Sequence, residues 1–393
     1  MPIQRIATYR PAWTSGGGRV RGVDEDGTTM AVAAGSLLLG APDPVTPLRV
    51  TFVTRTPDLI EGPTEAVLRA ALRLDPSVPV ELRLGGAPAA LDALASAASG
   101  TLVLTADPDA PAAAAAAWVT DRGAAVAVTG RTDTALPVRV RPAGEATLVY
   151  DDPRLLRERG WRPAIAAACG ESVPDMITGV PPKAALALGG RRDLADVGAL
   201  GASAPLFGLA ALAGSPDGAL LVALDGGAAA AATVTGAGAL EVRREERAGT
   251  PARVVDTDTT SRIPASAAAY ERAFAAKVGL LAGRCECGAM ECPPRYLCLE
   301  CGREGASQLA PLPYAAEVYT AVTIHTAVPG RPSPYSLAVV EVDGVGVRLL
   351  APVTDVAAGT AGIGDRGRLV LRCLADRETG PDYGYAFQPE VAA

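Results

Sequence analysis

The chain has 393 residues, which at roughly 100–200 residues per domain predicts two or three domains. Its 49% hydrophobic and 20% charged composition excludes a disordered or fibrous protein. Its 43 acidic against 36 basic side chains give a net charge of -7, so no basic face is on offer to a nucleic-acid backbone.

Aromatics make up 4%, beside 43 Gly and 33 Pro, which suggests tightly packed elements built on small residues. There is one histidine, so a Ser-His-Asp or Cys-His mechanism or a multi-His metal site can be built only around His325. The opening MPIQRIATYRPAW has no charged region followed by an apolar one, and no uninterrupted apolar run reaches the roughly 20 residues of a membrane span. A soluble, cytoplasmic protein with no membrane or nucleic-acid partner is expected.

From residue 1 to about 240, short Val/Leu runs alternate with Ala-rich stretches of helical character, the pattern of an α/β domain. The spacing of Met30, Ala33, Ala34 and Leu37 predicts a helix over Thr28 to Leu39, with Asp26 or Thr28 as its cap. Strands are expected at Leu48 to Thr54, Gly100 to Thr105, Ala124 to Thr129 and Ala219 to Leu224, and a helix at Glu65 to Leu74. GTLVLTAD, an alanine run and GAAVAVTG (100–130) are echoed by GALLVALDGGAAAAATVTG (218–236), as a duplicated half-domain or plain Ala/Gly/Val bias would give. Residues 240–264 turn charged and turn-forming, marking a linker or exposed hairpin. A helix then runs from Ala265 to Leu281, and from Leu309 onward β-like runs follow one another at the intervals of a small barrel.

Of seven cysteines, Cys285, Cys287, Cys292, Cys298 and Cys301 fall within one short stretch, while Cys169 and Cys373 stand alone. In a reducing compartment such a cluster reads as metal ligands. Cys298 and Cys301 form a C-x-x-C knuckle, and Cys285 with Cys287 supplies the other side of a tetrahedral zinc, with Cys292 as alternate. The first pair is C-x-C, a departure from the usual spacing; a ribbon that has lost its metal is the alternative. Four thiolates leave no open position, so the zinc is structural and staples a segment too small to build its own core.

The run GRCECGAMECPPRYLCLECG, the preceding helix AAYERAFAAKVGLLAG and the following EVYTAVTIHTAVPGRPSPYSLAVVEVDGVGVRLLAPVTD resemble the acyl-CoA-associated family that joins a helix and a rubredoxin-like zinc ribbon to an OB-fold. That resemblance covers residues 262–390 and implies an accessory subunit of thiolase-like enzymes or hydratases. IATYRPAW with GVDEDGTTMAVAA, GTLVLTAD, DRGAAVAVTG and DVGALGASAPLFGLAAL resemble the thiolase superfamily in its hydroxymethylglutaryl-CoA synthase branch, over residues 1–245. This family needs an activated Cys thiolate and a nearby His. In the matching passages Arg83 or Leu84 stands where the thiol belongs, and Gly179 or Val180 where the His belongs. The thiolase-like domain therefore reads as catalytically silent.

The remaining nucleophile is Cys169, more simply a small buried residue of an Ala-rich helix. Asp24, Glu25 and Asp26 read as an exposed, helix-capping acidic turn rather than an acid-base group. His325 reads as a half-buried strand residue rather than a general base. Arg191, Arg192 and Lys183 either meet CoA phosphates or form a solvated face. The expected fold is a thiolase-like duplicated α/β domain (1–245), a linker (246–264), a helix plus zinc ribbon (265–308) and an all-β OB-fold barrel (309–393). The expected function is a non-catalytic accessory subunit, bound in a hetero-oligomer to a catalytic thiolase or synthase that acts on acyl-CoA or acyl-carrier thioesters. The alternatives are a condensing enzyme using Cys169 and a stand-alone acyl-CoA-binding module. A structural zinc and a bound CoA thioester are the implied cofactors.

Overall fold

A computed structural model describes residues 2–40, 43–109, 111–142, 145–150, 152–191, 197–215, 218–252, 266–305, 308–326, 333–377 and 380–390. Most of the expected linker, 246–264, lies outside them. Helices occupy Gly27–Leu39 (α1), Thr64–Ala71 (α2), Ala87–Ser96 (α3), Arg162–Cys169 (α4), Ala204–Leu212 (α5) and Ala267–Lys277 (α6). The chain divides into two compact units, one of residues 1–10, 34–57 and 77–246, the other of residues 11–33, 58–76 and 247–393.

The first unit is built on a ten-stranded mixed sheet. Its strands are Pro2–Arg10 (β1), Arg49–Thr54 (β2), Val80–Leu84 (β3), Thr101–Asp107 (β4), Ala113–Val119 (β5), Ala124–Asp133 (β6), Met176–Thr178 (β7), Ala219–Asp225 (β8), Ala228–Thr235 (β9) and Glu241–Glu246 (β10). The order is β7-β8-β9-β6-β1-β5-β4-β2-β3, with β10 also pairing β1. A pattern repeats: β2 runs parallel to β4, which turns back through β5 to β1, and β7 runs parallel to β8, which turns back through β9 to β6. The echo in the sequence is thus the β4–β5 hairpin repeated as β8–β9, the duplication expected of a thiolase-like fold.

The structure corrects one part of that expectation. The alanine run of the first copy falls among the Ala-rich stretches that read as helical, yet it forms the strand β5, every residue of which is buried. Alanine is the best helix former, yet here β5 is laddered on both sides and the chain needs small side chains there. Helices α3 and α5 touch each other, and between them they pack on strands of both copies, α3 on β2, β4, β6, β8 and β9, α5 on β1, β5, β7 and β8. A side chain at Gly208 of α5 would have its Cβ 2.8 Å from Thr178 Cγ2 and 2.9 Å from Met176 Sδ. This close approach is why the core is written in Ala, Gly and Val rather than in aromatics.

The second unit holds a five-stranded sheet of Ala315–Ile324 (β14), Tyr335–Val342 (β15), Arg348–Pro352 (β16), Arg366–Arg377 (β17) and Gly380–Pro389 (β18), in the order β16-β15-β14-β17-β18. A parallel bridge between Val353 and Phe387 brings the two ends together, and the five strands close as an OB-type barrel. Alternate residues of β14, β15 and β17 are buried, among them Val318, Val340, Val342, Leu369 and Leu371, whereas β18 is buried without alternation from Asp382 to Pro389. Before it stands a small sheet of Leu281–Arg284 (β11), Met290–Glu291 (β12) and Gln308–Pro311 (β13), in the order β12-β11-β13. The helix expected to reach Leu281 ends at Lys277; Leu280 takes a left-handed φ of 50°, and Leu281 opens β11.

Candidate functional site

The cysteines sit on two knuckles. In the first, between β11 and β12, the Cys285 N–H donates to Ala289 O and the Gly288 N–H to Cys285 O, both at 2.9 Å. In the second, the Cys298 N–H donates to Arg303 O at 3.0 Å and the Gly302 N–H to Cys298 O at 2.9 Å. Cys285, Cys287, Cys298 and Cys301 bring their sulfurs within 4.8 Å of one another. The Cys285–Cys301 and Cys287–Cys298 separations are 3.7 Å. A disulfide would need roughly 2.05 Å, whereas a tetrahedral tetrathiolate with metal–sulfur bonds of roughly 2.3 Å has sulfur–sulfur edges of about 3.8 Å. The group therefore fits a four-coordinate soft metal, and the C-x-C spacing is no obstacle.

The thiols differ in readiness. Backbone N–H groups of Cys301 and Glu300 hold the Cys298 thiol down at about 7. Cys287 receives help from the backbone at Ala289, but hydrogen bonding with the Cys285 and Cys301 sulfurs carries it up to about 12. Cys292 stands apart from the four, half-buried, with its sulfur 4.0 Å from Leu281 O, and burial pushes its thiol up.

In the first unit, the passage matched to the thiolase nucleophile is the turn from β3 into α3. Leu84 ends the strand, exposed, and Arg83 beside it is half-buried. Gly179, at φ 86°, leaves no room for a side chain: a Cβ would fall 2.0 Å from Leu224 O. Val180 is buried.

What occupies this region was not anticipated from the sequence. Asp107 at the end of β4 and Asp225 at the end of β8 are equivalent positions of the duplication. Each carboxylate lies where a side chain on a helix-opening turn would be: a Cβ on Gly201 would sit 1.6 Å from Asp107 Oδ2, and one on Gly86 1.9 Å from Asp225 Oδ2. Arg55 joins them, its Nε 2.9 Å from Asp107 Oδ2 and its Nη1 3.8 Å from Asp225 Oδ1. Asp107 Oδ2 also accepts the Ala202 N–H at 2.6 Å. Burial pushes Asp107 up to about 6 against the pull of Arg55. The signal was in the echo itself, since TLVLTAD and ALLVALD both end in Asp.

Cys169 is the last residue of α4, half-buried, and burial raises its thiol, the opposite of activation. Lys183 is exposed, and Arg191 pairs with Asp175 at 3.6 Å. Arg192 lies outside the described residues.

Two expectations are corrected in the second unit. The Asp24–Asp26 turn is not exposed: Glu25 and Asp26 are buried and Asp24 is half-buried. Asp26 does cap α1, accepting the Thr29 N–H at 2.8 Å, and also accepts the Tyr383 hydroxyl at 2.8 Å. Asp58 caps the same helix end, accepting the Thr28 N–H at 2.8 Å and the Gly27 N–H at 3.2 Å. Burial, then the charge of Asp58, lifts Asp26 to about 7. The turn is buried because Arg372 of β17, itself buried, lies 3.6 Å from Glu25, 3.9 Å from Asp24 and 2.8 Å from Asp355. A buried cation of this kind needs carboxylates around it. His325 lies just beyond β14, exposed and not half-buried in a strand, because the ladder ends at Ile324.

The family described as the C-terminal OB-fold domain of ChsH2 matches residues 310–372. A DUF35 domain-containing scaffold protein of Methanocaldococcus jannaschii is 30% identical over 117 residues, which are 28% of this chain and 81% of that protein. Among solved structures, an Ltp2-ChsH2(DUF35) aldolase is 25% identical with a TM-score of 0.27, covering 33% of this chain and 98% of that one. An HMG-CoA synthase complexed with CoA is 13% identical with a TM-score of 0.48, covering 60% of this chain and 81% of that one. Among the described residues, no helix is long and apolar enough to cross a membrane.

Proposed function

Because the chain belongs to the DUF35-domain family, we propose that it is a non-catalytic accessory subunit of a thiolase-type complex acting on acyl-CoA or acyl-carrier thioesters. The observation that carries this reading is the replacement at the thiolase-like centre. Arg83 or Leu84 stands where the resemblance puts the family's thiol and Gly179 or Val180 where it puts the imidazole, and an Arg55–Asp107–Asp225 cluster lies against the helix-opening turns. No nucleophile–base pair can form there, and an accepted acyl group would have neither a thiolate nor a proton acceptor. The name of the archaeal relative, a scaffold protein, points the same way.

In this reading residues 1–245 keep the synthase-like fold for assembly, 246–264 link, 265–308 form the metal-bearing ribbon and 309–393 the OB-fold. Cys285, Cys287, Cys298 and Cys301 hold a structural zinc, which ties the two knuckles together. The partner is a complete thiolase or synthase subunit, which binds the CoA thioester and performs carbon–carbon bond formation or cleavage in the cytoplasm.

The test is intact mass spectrometry of the full chain after incubation with acetyl-CoA. An unchanged mass is expected. A stable acyl adduct mapped to Cys169 would overturn the non-catalytic reading in favour of a condensing enzyme.

A further inference from the structure

Glu291 lies outside the sulfur group, yet it connects the two halves of it. It belongs to β12 and pairs with Gly283 of β11, so its backbone is part of the hairpin that carries Cys285 and Cys287. Its side chain crosses to the other knuckle, where Oε1 accepts the Leu299 N–H at 2.7 Å. Leu299 follows Cys298 inside the C-x-x-C turn. The next two N–H groups of that turn, of Glu300 and Cys301, serve the Cys298 sulfur. The Leu299 amide is thus fastened by a carboxylate while its neighbours face the sulfur.

A second link crosses between the knuckles, from Arg303 to Glu286, the residue between Cys285 and Cys287. The two links are not equal. Arg303 and Glu286 are 55% and 71% exposed, and such surface pairs contribute little. The Glu291 side chain is 17% exposed and is steadied by Arg295, whose Nε lies 3.6 Å from its Oε2. A charge-assisted bond to a backbone N–H in that setting fixes a turn.

We propose that Glu291 is a positioning residue for the metal, holding the Cys298–Cys301 turn in register with Cys285 and Cys287 so that the four sulfurs are arranged before the ion binds. This rests on the metal reading of the four cysteines. Removing an outer partner of this kind costs metal affinity by about 10–100-fold. The amide of Gln retains an acceptor oxygen, so Glu291→Gln keeps the bond and Glu291→Ala loses it.

The experiment is a titration of the reduced full chain with cobalt(II), read by its thiolate charge-transfer absorption, and with zinc in competition with a chromophoric chelator. It is run on wild type, Glu291→Ala, Glu291→Gln, Arg303→Ala and Cys298→Ser, with circular dichroism confirming the fold of each. The expected result is a zinc affinity about 10–100-fold lower for Glu291→Ala, with Glu291→Gln and Arg303→Ala near wild type. Glu291→Ala binding as tightly as wild type, or Glu291→Gln binding as weakly as Glu291→Ala, overturns the positioning role. A weaker thiolate band in Cys298→Ser, as three thiolates in place of four would give, supports the underlying metal site, and absence of the band in wild type overturns that site and this proposal with it.

Discussion

Nε of Arg55 lies 2.9 Å from Oδ2 of Asp107, at the place where the duplicated halves of the first unit bring strand ends and helix starts together. Asp107 is 1% exposed at its side chain and Arg55 19%. Neither charge tolerates losing the other. Arg55→Met leaves a buried carboxylate without its cation, and a loss of about 3 kcal/mol in unfolding free energy is expected. The double variant Arg55→Met/Asp107→Asn recovers much of that loss, since the neutral amide keeps an acceptor for the Ala202 N–H without a buried unpaired charge. Urea unfolding measures both; a single variant as stable as wild type contradicts the role of the pair.

The buried acids give stability a definite pH dependence. Burial pushes the Asp107 carboxyl up to about 6 and the Asp26 carboxyl up to about 7 in the folded chain, both above the 3.8 of a free aspartate. Between those limits the folded state holds protons that the unfolded state has released. Stability is therefore full below the unfolded value and falls as pH rises through about 7. Asp26→Asn, which resembles the protonated acid, flattens the upper part of that fall. Thermal melts at pH 5.5 and 8 check the sign: a higher melting temperature at pH 8 in wild type would be the wrong result.

The small-residue core predicts a cost for adding as little as a methyl. Gly208→Ala places a Cβ against Thr178 and Met176 of β7, both buried, and overpacking of this kind costs about 1–3 kcal/mol. Guanidinium unfolding should show a lower midpoint with an unchanged slope. A neutral or stabilising substitution would mean that α5 can move away from β7.

Much of the fold was legible because its signals are local. Leu48 to Thr54 is rich in β-branched Val and Thr and Ala219 to Leu224 is wholly apolar, and the cysteine spacing singles out Cys285, Cys287, Cys298 and Cys301, with Cys292 as alternate, as candidate metal ligands. Ala113–Val119 was not legible as a strand, because alanine's own preference is helical and only the helices packed around the sheet reverse it. The burial of Asp24–Asp26 depends on Arg372, far along the chain, and acidic residues seen alone read as solvated. Arg55 carried no motif, although the two Asp residues closing the repeated strands marked where a cation would be needed.

A catalytic partner subunit is the central requirement of the proposed function. The decisive measurement is co-expression of the full chain with the thiolase- or synthase-type subunits of its own genome, followed by size-exclusion chromatography with light scattering and assay of thioester condensation or cleavage. The predicted result is a stable hetero-oligomer with one such subunit, whose activity resides in that subunit and requires its nucleophile. Elution of the chain alone in every combination, with acyl transfer by the isolated chain, would contradict the account.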